Sequence, residues 1–323
     1  MKKLILAVSL FMFVNTSNIY GQAMMGPYWL YDNHYQTDKY IINPAFAGNS
    51  FFPKTFVSTQ RMEVFLRDAP TVHLAGAHGR FGVGRYFLNK YGDDDRKERN
   101  AIGGLVFADN NGLYQSIGLK LDYAYIVPLN RKNTTLSLGL GGMLFSKRLR
   151  FDKYGTVSHD PLVAENTGNN VMIPDFNFGV LLNHNRLYAG FSISQLLENS
   201  YRFSKLNYAS AQVYRNYYLM TGYKFVYYRL ELEPSIAAGY NFAPESHINN
   251  GNFVDANIDF SLKPVVFRIS YRFDGFISNA LLYRTQELEI GLRWELFSTN
   301  ASDASFIGIG LMASYTFLPS KLR

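Results

Sequence analysis

"GLKLDYAYIVPL", residues 118–129, decides the fold. Leu119, Leu121, Tyr123, Tyr125, Val127 and Leu129 fall on one side of an extended chain. Gly118, Lys120, Asp122 and Ala124 fall on the other. A repeat of two is the mark of a β-strand, because successive side chains point to opposite faces. The stretch leaves open whether the apolar row meets a protein core or lipid.

The same period recurs along the chain. In "TTLSLGLGGMLF" (134–145), Leu136, Leu138, Leu140 and Leu144 oppose Thr135, Ser137, Gly139 and Gly141. "LYAGFSIS" (187–194), "LELEPSIAAGYNF" (230–242), "VVFRISYRF" (265–273), "ELEIGLRWEL" (287–296) and "FIGIGLMASYTF" (306–317) alternate likewise. No convincing helix-period segment follows the first residues. Many segments exceed the usual ~5–6 residues of globular strands and match the ~9–11 that a tilted strand needs to cross a bilayer. "DNNG" (109–112), "NRKN" (130–133) and "NHNR" (183–186) carry hairpin-turn chemistry. Longer polar connections fall at 90–99, 146–170 and 198–213. Outer-membrane barrels place long loops outside and short turns in the periplasm.

Composition decides the direction of the apolar rows. Aromatic residues make up 16% of the 323 residues, with 24 Tyr and 26 Phe but 2 Trp, which favours sheet. Charged residues make up only 18%, too few for the solvent faces of a secreted sandwich, the competing all-β reading. The rows opposite the apolar ones are rich in Gly, Ser and paired charges, and several apolar rows end in aromatics, as at Tyr240 and Phe242 or Tyr315 and Phe317. Lipid on the apolar side fits this pattern, and a closed barrel satisfies its backbone groups inside the membrane. The expected fold is all-β, a transmembrane antiparallel up-and-down barrel of about 14 strands, with 12 possible.

The chain opens with "MKKLILAVSLFMFVNTSNIYGQA". Lys2 and Lys3 precede an apolar run from Leu4 to Val14, and small residues follow at Gly21 and Ala23. This reads as a cleaved secretory leader over residues 1–23, with a membrane anchor as the competing reading. Its removal takes two lysines from a net charge of +7, leaving +5. There is no cysteine, hence no disulfide. Residues 24–52 read as an N-terminal lip or plug and 53–323 as the barrel.

Candidate chemistry is sparse. The six histidines, His34, His73, His78, His159, His184 and His247, show no metal-ligand spacing with carboxylates. His73 and His78 fall on opposite faces of a strand. No nucleophile elbow is present. No metal, cofactor or enzymatic activity is expected. Asp93–Asp95 read as a solvated loop rather than a calcium site. The positive charges are scattered, so nucleic acid is not an expected partner. If the apolar rows face lipid, then Glu231, Glu233, Asp255, Asp259, Arg268, Arg272, Glu287, Glu289, Arg293 and Glu295 point into the lumen. Charges there must be paired or hydrated, and they form an expected ion-pair network.

Several motifs carry a family resemblance. Asn43-Pro44-Ala45-Phe46-Ala47-Gly48 resembles the "NPAYAG" signature of the PorP/SprF family, outer-membrane proteins linked to type IX secretion in Bacteroidota. Gln60-Arg61 followed by Ala69-Pro70-Thr71 is similar to its "R-Q-W … G-A-P-x-T" block, except that "MEVFL" replaces the usual Trp. "FADNNGLYQSIGLKLDYAYIVPL", "PDFNFGVLLNHNRLYAGFSISQLL" and "FRISYRFDGF" follow in the family's order. The chain runs on as "LPSKLR" past Phe317, where many barrels end on the aromatic residue. The resemblance implies an outer-membrane component of type IX secretion or gliding machinery. Its implied role is export or surface anchoring of a large adhesin-like protein, whose C-terminal domain it holds. The implied partners are outer-membrane lipid, that surface protein and other secretion components. The candidate partner contacts are Asn43, Pro44, Ala45, Phe46, Ala47, Gly48, Gln60, Arg61, Pro70 and Thr71. The alternative function is a channel for small solutes. Physically, Pro44 fixes φ, biases Asn43 towards extended backbone, and is followed by a turn-permitting Gly48.

Overall fold

The computed structural model describes residues 33–50, 52–65, 68–80, 99–112, 114–130, 134–150, 170–202, 210–242, 252–273, 275–298 and 305–318. Residues 1–23, where a leader is expected, the stretch 24–32, Asp93–Asp95, His159, His247 and residues 319–323 lie outside the described residues.

The strands are β1 (Lys54–Arg61), β2 (Thr71–Arg80), β3 (Asn100–Asn111), β4 (Tyr114–Asn130), β5 (Thr134–Leu149), β6 (Asn170–His184) and β7 (Leu187–Ser194). A small hairpin, β8 (Ser200–Arg202) and β9 (Ser210–Gln212), follows. Then come β10 (Asn216–Tyr223), β11 (Phe225–Tyr227), β12 (Leu230–Asn241), β13 (Phe253–Leu262), β14 (Val265–Arg272), β15 (Phe276–Arg284), β16 (Leu288–Ser298) and β17 (Ser305–Thr316). Sequential neighbours pair antiparallel, and β1 closes onto β17 with Lys54 opposite Thr316. β10 and β11 both pair with β12, one on each side of Lys224, and so share one stave. The result is a closed barrel of 14 antiparallel strands.

The opening stretch becomes most of β4. Leu119, Leu121, Tyr123 and Tyr125 are exposed on the outer wall, whereas Lys120, Asp122 and Ala124 are buried in the lumen. The other alternating segments orient the same way: Leu138, Ile236, Ile269, Ile290 and Ile309 face out. Aromatic pairs mark both rims of this apolar wall. At the rim where β1 begins and β17 ends stand Tyr315 with Phe317 and Tyr223 with Phe225, centroids 5.0 and 4.7 Å apart. At the distal rim stand Tyr240 with Phe242 and Tyr271 with Phe273, 4.6 and 5.6 Å apart. Such paired girdles bound the hydrocarbon layer.

Two connection readings need correction. The polar connection read from 146 to 170 is shorter, because β5 runs to Leu149 and β6 starts at Asn170. The long connection that includes 90–99 joins β2 to β3 at the proximal rim, the end that also carries the short turns after β4 and β6. Strand parity forces this: β1 leaves the proximal rim and β2 returns to it. The "DNNG" turn, with Gly112 at φ +57, lies at the distal rim instead.

Candidate functional site, the filled lumen

The chain before β1 lies inside the barrel. Three short 3-10 turns, Asn33–Gln36, Lys39–Ile41 and Pro44–Phe46, carry it across the lumen. Asn33, His34, Tyr40, Ile41, Asn43, Ala45 and Ala47 are buried, as are Pro44, Phe46 and Gly48. Local chemistry builds this path. Asn43 is extended, at φ −133 and ψ 109, as the residue before a proline should be, and its Oδ1 caps Ala45 N at 2.9 Å. Asp38 caps the preceding turn through Tyr40 N at 3.0 Å. Gly48 turns the chain out at φ +66.

The lumen wall is shaped to receive this segment. A Cβ on Gly139 would stand 2.5 Å from the Pro44 carbonyl carbon and 2.8 Å from Ala45 Cα. The Asn43 amide donates to Val180 O and Phe191 O, each at 3.3 Å, and Ser192 Oγ donates to Ile42 O at 2.9 Å. Opposite, Lys120 Nζ donates to Tyr40 O at 3.2 Å and Ile41 O at 3.0 Å while lying 4.7 Å from the Tyr40 ring centre. Asp122 stands 3.3 Å from the same ammonium. Backbone carbonyls that leave regular structure inside a membrane need such donors.

Charge fixes the rest of the segment. Asp38 meets Lys54 at 2.8 Å and His78 at 3.2 Å. Burial alone would raise its pKa, but Lys54 and the hydrogen-bonded His78 outweigh it and hold the carboxyl well below the usual carboxylate range. His34 sits 3.1 Å from Ser58 Oγ. Burial first, and the Arg293 charge second, push its pKa down, so the imidazole is neutral. Lys39 pairs with Glu233 at 3.2 Å, and the Tyr35 hydroxyl donates to Asp255 at 2.9 Å.

The sequence-predicted charges divide among these contacts. Arg268 holds Asp259 through two bonds, 2.6 and 2.5 Å, and donates to Gln36 O at 2.5 Å. Arg272 holds Asp255 at 2.6 and 2.9 Å and reaches Asn33 Oδ1 at 2.8 Å. Arg293 donates to Gln60 Oε1 at 2.9 Å and Thr37 Oγ1 at 3.3 Å, and Gln60 in turn donates to Glu295. Glu289 pairs with Arg284, and Glu231 with Lys263 at 3.0 Å. Glu287 departs from the expectation. It lies in the turn before β16 and accepts from the outward Tyr315 hydroxyl at 2.9 Å, because the strand has ended there. The candidate partner contacts split into separate places. Asn43–Gly48 and Gln60 are buried in the lumen, whereas Arg61 and Thr71 stand opposite each other on the outer wall at the distal rim, with Pro70 beside them.

Lys39, Lys54, His78, Lys120 and Asp122 escaped the reading of sites. Strand parity put Lys120 and Asp122 on the inner row, but nothing local told that a plug would meet them. Among the described residues no group of His, Asp and Glu is arranged to hold a metal. A pocket of about 30 Å³ remains beside Gln36, Lys39, Asn257 and Arg268. It has room for a water or two and no more.

Solved structures with a similar fold include transport channels and an outer-membrane protein. The CymD monoaromatic hydrocarbon channel superposes with a TM-score of 0.50 at 12% identity, over 93% of this chain and 95% of CymD. The toluene transporter TodX of P. putida gives 0.49 at 11%, over 87% and 94%. Omp33 of Acinetobacter baumannii gives 0.45 at 11%, over 83% and 98%. At such identity the likeness concerns the barrel alone. No curated protein matches the sequence significantly. The model of the family described as "Type IX secretion system membrane protein PorP/SprF" matches residues 28–311. A closed barrel with a lipid-facing apolar wall, bearing that family's sequence from the plug to the last strand, belongs to the PorP/SprF family and is an outer-membrane component of the type IX secretion system.

Proposed function

We propose that this protein holds the C-terminal domain of a large exported surface protein, of the adhesin class, at the outer membrane. The observation that carries this reading is the lumen filled by residues 33–48 of the chain itself, with their carbonyls and charges satisfied from the wall. A barrel sealed in this way serves as a rigid platform rather than a conduit. The client then docks from outside, on the distal rim. The β1–β2 hairpin is the proposed contact, with Pro70 beside the strand end and Phe65 86% exposed at its tip. Asn43–Gly48 act as the internal support of the platform, and a partner meets them only if the segment leaves its seat. Other secretion components are the proposed neighbours on the periplasmic side.

The test is affinity purification of the tagged barrel from outer membranes in mild detergent, with mass spectrometry of what accompanies it. A large surface protein at near-stoichiometric amount, lost on Phe65→Asp substitution, is the expected result. A lone barrel that also conducts ions in planar bilayers would replace this reading with solute transport.

A further inference from the structure

The outer wall is uneven around the distal rim. On β10, β12 and β14 the last outward residues are aromatic: Tyr217, Tyr240, Phe242, Tyr271 and Phe273. On the arc from β1 to β5 they are hydrogen-bonding residues in one cross-strand line. Arg61 pairs with Thr71, Thr71 with Asn110, Asn110 with Gln115, and Gln115 with Arg148. On β1, β3, β4 and β5 the outward face also carries an exposed apolar residue, Val57, Val106, Ile117 and Leu144 in turn. The row just below holds Thr59 and His73, bonded to each other at 2.8 Å, and below that the wall is apolar.

From these positions we infer that Arg61, Thr71, Asn110, Gln115 and Arg148 form a site for the phosphorylated headgroup of an outer-leaflet lipid. The line spans four inter-strand steps of about 4.8 Å, about 19 Å in all, with an arginine at each end. Guanidinium groups suit phosphate because their forked donors match two of its oxygens. The amides and the threonine hydroxyl between them suit the sugar or glycerol hydroxyls of the same headgroup. Below the Thr59–His73 row the acyl chains find an apolar surface, at Val57, Val106, Leu119 and Leu144, which a soluble anion would not use. Arg148 Nε and Asn110 Oδ1 are withdrawn from solvent and make no hydrogen bond within the protein. A row that served only solubility would not need to sit on the lipid-facing side.

The experiment compares the full-length protein with an Arg61→Gln/Arg148→Gln double variant, both purified from native outer membranes in mild detergent. Bound lipid is quantified by native mass spectrometry and by analysis of the organic extract. Heat-modifiable gel mobility reports folding. The expected result is a loss of bound phosphorylated lipid of about tenfold in the folded double variant, with each single variant intermediate. A Lys263→Gln control at the opposite rim keeps its lipid. Equal lipid in wild type and double variant overturns the proposal. So does displacement of the bound species by millimolar inorganic phosphate, which would mark a soluble-anion site. Loss of a co-purifying protein with lipid unchanged would also overturn it and assign the row to protein docking.

Discussion

Gly179 lies directly beneath Asn43: a Cβ there would overlap the Asn43 side-chain oxygen and stand 3.0 Å from Pro44 Cδ. The bare backbone at Gly179, and likewise at Gly139, is what lets the Asn-Pro turn sit flat on the wall. Gly139→Val and Gly179→Val are therefore expected to unseat the segment while the barrel still closes. Overpacking of this kind costs about 1–3 kcal/mol. In planar bilayers the wild type should be nearly silent and the variants conducting. Silent variants with native stability would show that the turn can shift without opening a path.

Arg293, Gln60 and Glu295 form a buried chain that links β16 to β1 across the glycines Gly308 and Gly310 of β17. Arg293→Met removes the cation and takes away the guanidinium that donates to the Gln60 oxygen, next to the buried Glu295 carboxylate that accepts from Gln60 and Ser278. The expected loss is about 3–5 kcal/mol, measured as a lower urea midpoint for the barrel in lipid vesicles. Adding Glu295→Gln should recover part of it, since the buried charge is then gone. An Arg293→Met barrel as stable as wild type would mean that water enters this region freely.

The lipid-facing wall gives a prediction of opposite logic. Leu121 is 64% exposed and its neighbour Lys120 is 2% exposed. Leu121→Arg places a charge in hydrocarbon at a cost of about 2–4 kcal/mol. Refolding yield into vesicles should fall, and Leu121→Phe should leave it unchanged. Equal tolerance of both would deny that this face meets acyl chains.

Acid should loosen the internal segment before it opens the barrel. The folded Asp38 carboxyl binds its proton less readily than in the unfolded chain, so its contribution is complete above the ordinary carboxylate range and is lost as pH falls through that range. The folded His34 imidazole is likewise held neutral, so stability declines as pH drops below the ordinary histidine value of about 6.5. Hydrogen–deuterium exchange of residues 33–48, corrected for intrinsic rates, should quicken from pH 7.5 to pH 5 through His34, and again below about pH 4 through Asp38, while the strands stay protected. Faster exchange at high pH instead would reverse the assigned sign.

The sequence by itself determined the strands, their faces and the polarity of the lumen, because alternation is local: each residue's neighbours two places away state which side it takes. It also determined the extended-then-turned path of Asn43 to Gly48, since proline and glycine act on backbone angles directly. Some lumen pairs were within reach of that reasoning, as with Arg268 and Asp259 on adjoining strands of one hairpin. Only the tertiary structure decided that Tyr35 meets Asp255, Thr37 meets Arg293 and Lys39 meets Glu233. Those partners lie far apart in the chain. They meet because closing β1 onto β17 makes an interior, and the segment before β1 is what fills it. Neither the closure nor the register that aims each inner row at the plug is a property of any one strand, so no single stretch of sequence records it.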